Sequence, residues 1–167
     1  MVSALGGTRL RPITAADELF LCALYGSTRT EELAVVPWSE DQKRAFLEMQ
    51  FRAQSIHYAT HYVGADFQII EQDGRPIGRL YIARWDDEIR IVDISLLPEH
   101  RSRGVGSTFL RQVLEEGRTS NRRVTIHVES FNPAMRLYER LGFRRAGEHG
   151  VYYLMEWRTD DQVKTAS

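Results

Sequence analysis

The sequence predicts a mixed α/β (α+β) fold, a mostly antiparallel sheet with one parallel or splayed strand pair near its centre and helices against it. Three observations predict it. Asp73-Gly74 stands between two alternating runs in "DFQIIEQDGRPIGRLYIARW", a hairpin signal. A second pair of short strands brackets Gly150. Between them, over Glu88–Ser130, an apolar strand, a helix and another strand follow one another. A strand–helix–strand connection returns the second strand parallel to the first, or splayed from it.

The elements follow in order. "TRLRPIT" (Thr8–Thr14) alternates and reads as a first strand. Thr14 then caps a helix through "AADELFLCALYGSTR", with Asp17 and Glu18 favourable in its first turn. "AVVPWS" breaks the pattern at Pro37. Ser39 and Gln42 have capping-box spacing and open a second helix, on which Phe46, Met49, Ile56 and Tyr58 recur at roughly helical spacing. The Asp73-Gly74 hairpin comes next, then the strand "EIRIVDISLLP" and a helix from about Gly104 to Glu116. "RVTIHVES" is a strand and "NPAMRLYERLG" a short helix ending at Gly142. "FRRAGEH" and "VYYLMEW" form the last pair. The whole chain, 1–167, reads as one domain with a polar, frayed tail from about residue 160.

Composition narrows the function classes. Twenty-two Lys and Arg against 23 Asp and Glu give a net charge of -1, which does not indicate a nucleic-acid surface. Cys22 is the only cysteine, so neither an intrachain disulfide nor a four-cysteine zinc site can form. His57 and His61 are four apart on a helix but lack the H-E-x-x-H glutamate, so a solvated helix face is the better reading and no metal is expected. The start lacks the apolar core of roughly 7–15 residues that a signal peptide carries. No apolar run approaches the roughly 20 residues needed to cross a bilayer. A soluble, cytoplasmic protein with no membrane partner is expected.

"LLPEHRSRGVGSTFLRQVL" (Leu96–Leu114) carries the chemistry. Gly104 and Gly106 lack a Cβ and let the backbone approach a ligand. The loop enters a helix start, where free amides and the helix dipole favour an anion. Arg101 and Arg103 add charge-assisted contacts. Together these describe a phosphate or pyrophosphate cradle; a plain strand-to-helix turn is the alternative. The P-loop spacing G-x-x-x-x-G-K-[ST] is absent, and Phe109 stands where the dinucleotide fingerprint needs its third glycine.

"RSRGVG" (Arg101–Gly106) and "NPAMRLYERLGF" (Asn132–Phe143) resemble the two signatures of the GCN5-related N-acetyltransferase (GNAT) superfamily: R/Q-x-x-G-x-G/A, and an N…LYE-x-x-GF block about 30 residues on. The element order fits from about Thr8 to Trp157. The resemblance implies a GNAT-like, mostly antiparallel seven-stranded sheet with a splayed central parallel pair and about four helices. It implies an N-acetyltransferase with acetyl-CoA as co-substrate. The pyrophosphate would rest on the amides of Ser102, Arg103, Gly104, Val105, Gly106 and Ser107. The pantetheine arm would pair with the backbone of Ile94, Ser95 and Leu96.

The same resemblance puts Tyr138 where relatives place the tyrosine that protonates the departing sulfur, a role suited to a phenol that is neutral at pH 7. The alternative is a packed helix tyrosine. His127 and Glu129 are two apart on one strand and share a face, so either could take the amine's proton; a structural histidine and a solvated end-of-strand charge are their alternatives. Asp93 inside an apolar strand calls for a partner, and could order the site or only the fold. Arg90 stands where some relatives carry a glutamate base. Asn132 is a cofactor contact in many relatives, but here it is six residues before Tyr138 where the common pattern has seven, with Phe131 in that slot; a helix N-cap is its alternative. The expected acceptor site takes in "ELAVVPWSE" with Trp38, the Tyr58/Tyr62 region and Tyr152/Tyr153, Trp38 with a core plug as its alternative. The acceptor is a small-molecule or peptide amine, and a homodimer stays open. A non-catalytic acyl-CoA sensor on the same fold is the competing function. An ATP-binding regulator is disfavoured by the missing P-loop lysine.

Overall fold

The structure is a computed structural model and describes residues 7–159; the tail expected to fray lies outside them. Seven strands form one sheet in the order β1-β2-β3-β4-β5-β7-β6. They are β1 (Thr8–Pro12), β2 (Asp66–Gln72), β3 (Arg75–Arg84), β4 (Glu88–Leu96), β5 (Arg123–Glu129), β6 (Arg144–His149) and β7 (Tyr152–Trp157). Every neighbouring pair is antiparallel except β4–β5. The helices are α1 (Glu18–Ser27), α2 (Thr30–Ala34), α3 (Glu40–His61), α4 (Val105–Ser120) and α5 (Met135–Arg140).

Local chemistry explains most boundaries. The Ser39–Gln42 box closes in both directions: Gln42 N–H donates to the Ser39 hydroxyl at 3.1 Å, and Ser39 N–H donates to Gln42 Oε1 at 2.9 Å. At Thr14 the predicted cap closes as a box with Asp17. The Asp17 carboxylate accepts from Thr14 N–H at 2.8 Å and from its hydroxyl at 3.2 Å, and Arg11 grips that carboxylate with both Nη atoms. One short 3-10 turn, Ala15–Asp17, precedes α1. The helix α2 was not expected; "TEELA" adds a turn before Pro37 breaks the chain.

Two layers cover the sheet. On one face α4 and α5 bury Phe109, Leu110, Val113 and Tyr138 against Leu80, Ile89, Ile91, Val124, Ile126 and Met155. On the other, α1 and α3 bury Leu21, Tyr25 and Phe51 on Ile69. The stripe expected on α3 is not the buried one: Met49 and Ile56 are exposed, and Phe51 makes the core contact. Polar positions of β3 and β4 on this side are filled by α3 side chains, which relieves the demand for apolar ones. Among the described residues no helix is long and apolar enough to cross a membrane.

Two irregularities shape the centre. β4 carries an extra residue at Val92, because Tyr81 pairs Asp93 while Ile82 pairs Ile91. β4 and β5 pair only from Glu88↔Arg123 to Ile91↔Ile126. Beyond that register β5 continues against β7 alone. The edge of β4 that faces β5 is therefore open from Val92 to Leu96.

Candidate active site

The gap between β4 and β5 meets the start of α4. The amides of Val105, Gly106 and Ser107 open that helix and have no intrahelical acceptor. Gly104 caps it at φ 83°, and Ser102 is also left-handed, at φ 61°. A side chain at Gly104 would be strained by the backbone rather than by crowding, since nothing lies within 4 Å of its would-be Cβ. Arg101–Gly104 are exposed, Arg103 among them. Arg101 turns back: its Nε donates to the Leu96 carbonyl at 2.9 Å and Nη2 to Ser27 Oγ at 3.4 Å. That ties the loop to the end of β4 and to α1.

Ile94 and Leu96 pack on the large core, which holds the open edge of β4 in place. Gly78 makes this possible. A Cβ there would lie 2.3 Å from the Ser95 carbonyl oxygen and 2.7 Å from Leu96 Cδ2. The strand pattern did not reveal Gly78, because a glycine inside a strand signals close approach without saying to what.

Asp93 and Ser95 lie on the α3 side. Asp93 Oδ2 accepts from Arg79 Nη2 at 2.8 Å and from the Tyr58 hydroxyl at 2.9 Å; Oδ1 accepts from Ser95 Oγ at 2.7 Å. Arg79 is 3% exposed and also donates to Gln54 Oε1. The charge that seemed to need a partner has one, and its oxygens are engaged. Sequence reasoning missed Arg79. An arginine and an aspartate in adjacent apolar strands were the available signal.

Tyr138 is 5% exposed and packs edge-on against Phe143 at 5.8 Å. Burial, then the field of Asp93, pushes its hydroxyl well above the usual phenol range, so it keeps its proton at neutral pH. Asn132 spends its side chain locally, with Oδ1 accepting Ala134 N–H at 2.9 Å; the N-cap of α5 is Ala134 rather than Asn132.

His127 and Glu129 share one face of β5, as their spacing requires. His127 is exposed, and Arg90 Nη1 lies 3.5 Å from its Nδ1. Partial burial, then Arg90 and His149, lowers the imidazole pKa below 6.5, against a smaller opposing pull from Glu88. Glu129 faces Arg29 Nη1 at 3.4 Å; the same atom holds Glu32 at 2.9 Å, and the guanidinium lies over the Tyr25 ring. Arg29, between α1 and α2, was not singled out in sequence. Nothing local marks a residue whose partner is 100 positions away.

The aromatic residues expected at the acceptor site sit in different settings. Tyr153 pairs Val128 and packs with the large core under Arg145, 4.0 Å from its ring centroid. Tyr152 lies opposite Glu129 in register and shares its side of the sheet. Trp38 is 41% exposed, so it is no core plug; it packs edge-on against Phe46 of α3 at 5.2 Å. His57 and His61 stack at 4.1 Å on exposed helix, and among the described residues no group of three His, Cys, Asp or Glu could hold a metal.

An open strand edge that leads to a helix start, beside a buried phenol, defines the class. The model of the acetyltransferase (GNAT) family matches residues 21–143, and the chain belongs to that family. A Bacillus subtilis (strain 168) protein described as a putative ribosomal protein bS18-alanine N-acetyltransferase is 32% identical over 91 residues. That match spans 53% of this chain and only 60% of the relative's length. Among solved structures, the PaiA N-acetyltransferase of Thermoplasma acidophilum in complex with coenzyme A superposes with a TM-score of 0.67 at 16% identity, over 91% of this chain and 99% of that one. Arabidopsis thaliana Naa50 in complex with the bisubstrate analogue CoA-Ac-MVNAL gives 0.61 at 15% identity, over 92% and 99%. At such identities the likeness is one of fold.

Proposed function

We propose that the protein is a cytoplasmic acetyl-CoA-dependent N-acetyltransferase that passes the acetyl group directly to a primary amine in a ternary complex. One observation carries the reading: the pairing of β4 and β5 stops at Ile91↔Ile126, and the edge it exposes leads to the unpaired amides of α4. The residues present fit the co-substrate. A pyrophosphate suits the loop amides from Ser102 to Ser107 with Arg103 beside them. A pantetheine arm suits the open edge at Ile94, Ser95 and Leu96, which needs backbone partners.

Acetyl-CoA supplies the activated acyl group. The chain's part is to orient it, to admit the amine, and to move protons. Tyr138, held neutral, donates to the departing sulfur. Asp93 acts as a positioning residue, since its oxygens are occupied by Arg79, Tyr58 and Ser95. Glu129, His127, Tyr152 and Arg29 border the amine's path. The names of the Bacillus relative and of the Arabidopsis complex support an amino-terminal peptide amine as acceptor.

A thiol-release screen with acetyl-CoA over amines, amino acids, aminoglycosides and peptides tests the reading. Turnover on an amine, fastest on peptides, is expected. Tight coenzyme A binding without turnover on any acceptor would make the protein a sensor instead.

A further inference from the structure

Arg90 is the least expected residue on the acceptor face, and it is not free to move. Its Nε donates to Thr125 Oγ1 at 2.6 Å and to Glu88 Oε2 at 3.2 Å, and Nη2 donates to the same Glu88 oxygen at 2.8 Å. Glu88 is 7% exposed and Thr125 1%. The other Glu88 oxygen accepts from Arg123 Nη2 at 2.8 Å, and the Thr125 hydroxyl donates to Oε2. Trp85 lies against the guanidinium, 5.4 Å from ring centroid to Cζ. A guanidinium held on so many sides leaves Nη1 aimed at His127 Nδ1, 3.5 Å away.

A guanidinium has donors only. The nitrogen that faces it must therefore present its lone pair, and in a neutral imidazole the other nitrogen then carries the hydrogen. A proton on Nδ1 would set two cations against each other. The charged groups that face His127 are Arg90 and Glu88 from β4 and His149 from β6; Glu88 is already shared between Arg90 and Arg123.

We propose that Arg90 fixes His127 as the neutral Nε2–H tautomer, so that His127 meets the acceptor as a hydrogen-bond donor and Glu129 takes the amine's proton. The second half rests on the acetyltransferase reading; the first does not. Glu129 suits the task because its ion pair with Arg29, 3.4 Å long, is looser than the roughly 2.7–2.9 Å of a strong charged hydrogen bond. The steps balance. The ammonium gives one proton to the Glu129 carboxylate. Its nitrogen bonds to the acyl carbon as the carbon–sulfur bond breaks, and the sulfur takes the Tyr138 proton. The second surplus proton on nitrogen returns through water to Tyr138.

Nitrogen-15 NMR of histidine-labelled wild-type protein reads the tautomer without any substrate. The Nε2–H pattern is expected for His127, with a titration midpoint below 6.5 that rises toward the ordinary value in Arg90→Gln. An Nδ1–H pattern in the wild type, or a midpoint indifferent to Arg90→Gln, overturns the assignment, and the wild-type spectrum decides even if that variant does not fold. On the best amine from the screen, His127→Leu should lose about tenfold in kcat/KM and His127→Asn, which keeps a donor, should recover most of it. Glu129→Gln should lose about 100-fold in kcat, the scale of a missing general base. If His127→Asn falls as far as Glu129→Gln, the proton goes to His127 and the proposal is wrong. If no amine turns over, the function reading fails and the NMR result still stands alone.

Discussion

On the proposed reading the two halves of the site are built in opposite ways. The donor half is one continuous stretch, Ile94 to Ser107, in which a strand end, a loop and a helix start lie in sequence order. Its chemistry is mostly backbone amides, and the side chains of Arg101, Ser102 and Arg103 are exposed. The acceptor half is assembled from α1, α2, α3, β3, β4, β5 and β7. It is held by ion pairs such as Arg29–Glu129, Arg79–Asp93 and Arg90–Glu88. A backbone cradle tolerates most side-chain changes but not a change of backbone geometry. A salt-bridged face behaves the other way, because removing one partner leaves a buried charge without compensation.

That contrast can be broken or sharpened by experiment. The largest effect is expected from Gly104→Glu. Strain at φ 83° and a carboxylate facing a pyrophosphate should abolish acetyl-CoA binding by calorimetry, and unchanged affinity would refute the cradle. Next, Arg79→Met should strand the Asp93 carboxylate and cost about 3–5 kcal/mol in denaturant unfolding, the usual cost of breaking a buried pair. A loss below about 1 kcal/mol would show that water already reaches the pair. Tyr138→Phe should lower kcat about 100-fold while coenzyme A affinity changes little. Equal losses in kcat and affinity would make Tyr138 a packing residue.

The smallest effect tests the ion pairs by pH. Arg11 holds the Asp17 carboxyl at a pKa of about 2, below its ordinary 3.8, chiefly through their hydrogen bonds and against the cost of burial. A depressed folded pKa means that the stabilisation is complete above the ordinary value. It should fade as pH falls from about 4 toward 2. Urea midpoints over that range should drop less steeply in Asp17→Asn, although Glu71, which Arg11 and Arg9 also depress, keeps part of the slope. Parallel slopes for wild type and variant would remove Asp17 from the account.

How much was legible followed the same divide. The seven strands, the hairpin at Asp73-Gly74 and the Ser39–Gln42 box were readable because each is set by residues within a few positions. The Arg101–Gly106 loop was readable for the same reason, although Arg101 proved to brace the loop. The errors lay where a distant partner decides. α3 buries Phe51 rather than Met49 because its contact with the sheet sets its rotation. The sequence left Tyr152 and Tyr153 both open, and the β5–β7 register puts Tyr152 on the side of Glu129. Arg29 carried no local mark of its role, and the marks at Arg79 and Gly78 did not name their partners.

By itself the sequence determined the order of elements, the glycine-bearing loop at a helix start and the family resemblance, since hydrophobic period, turn residues and contiguous motifs act over short range. Only the tertiary structure decided where β4 parts from β5, which charges neutralise one another, and which residues share a face with Glu129. Those depend on strand register and on side chains brought together from as far as 100 positions apart.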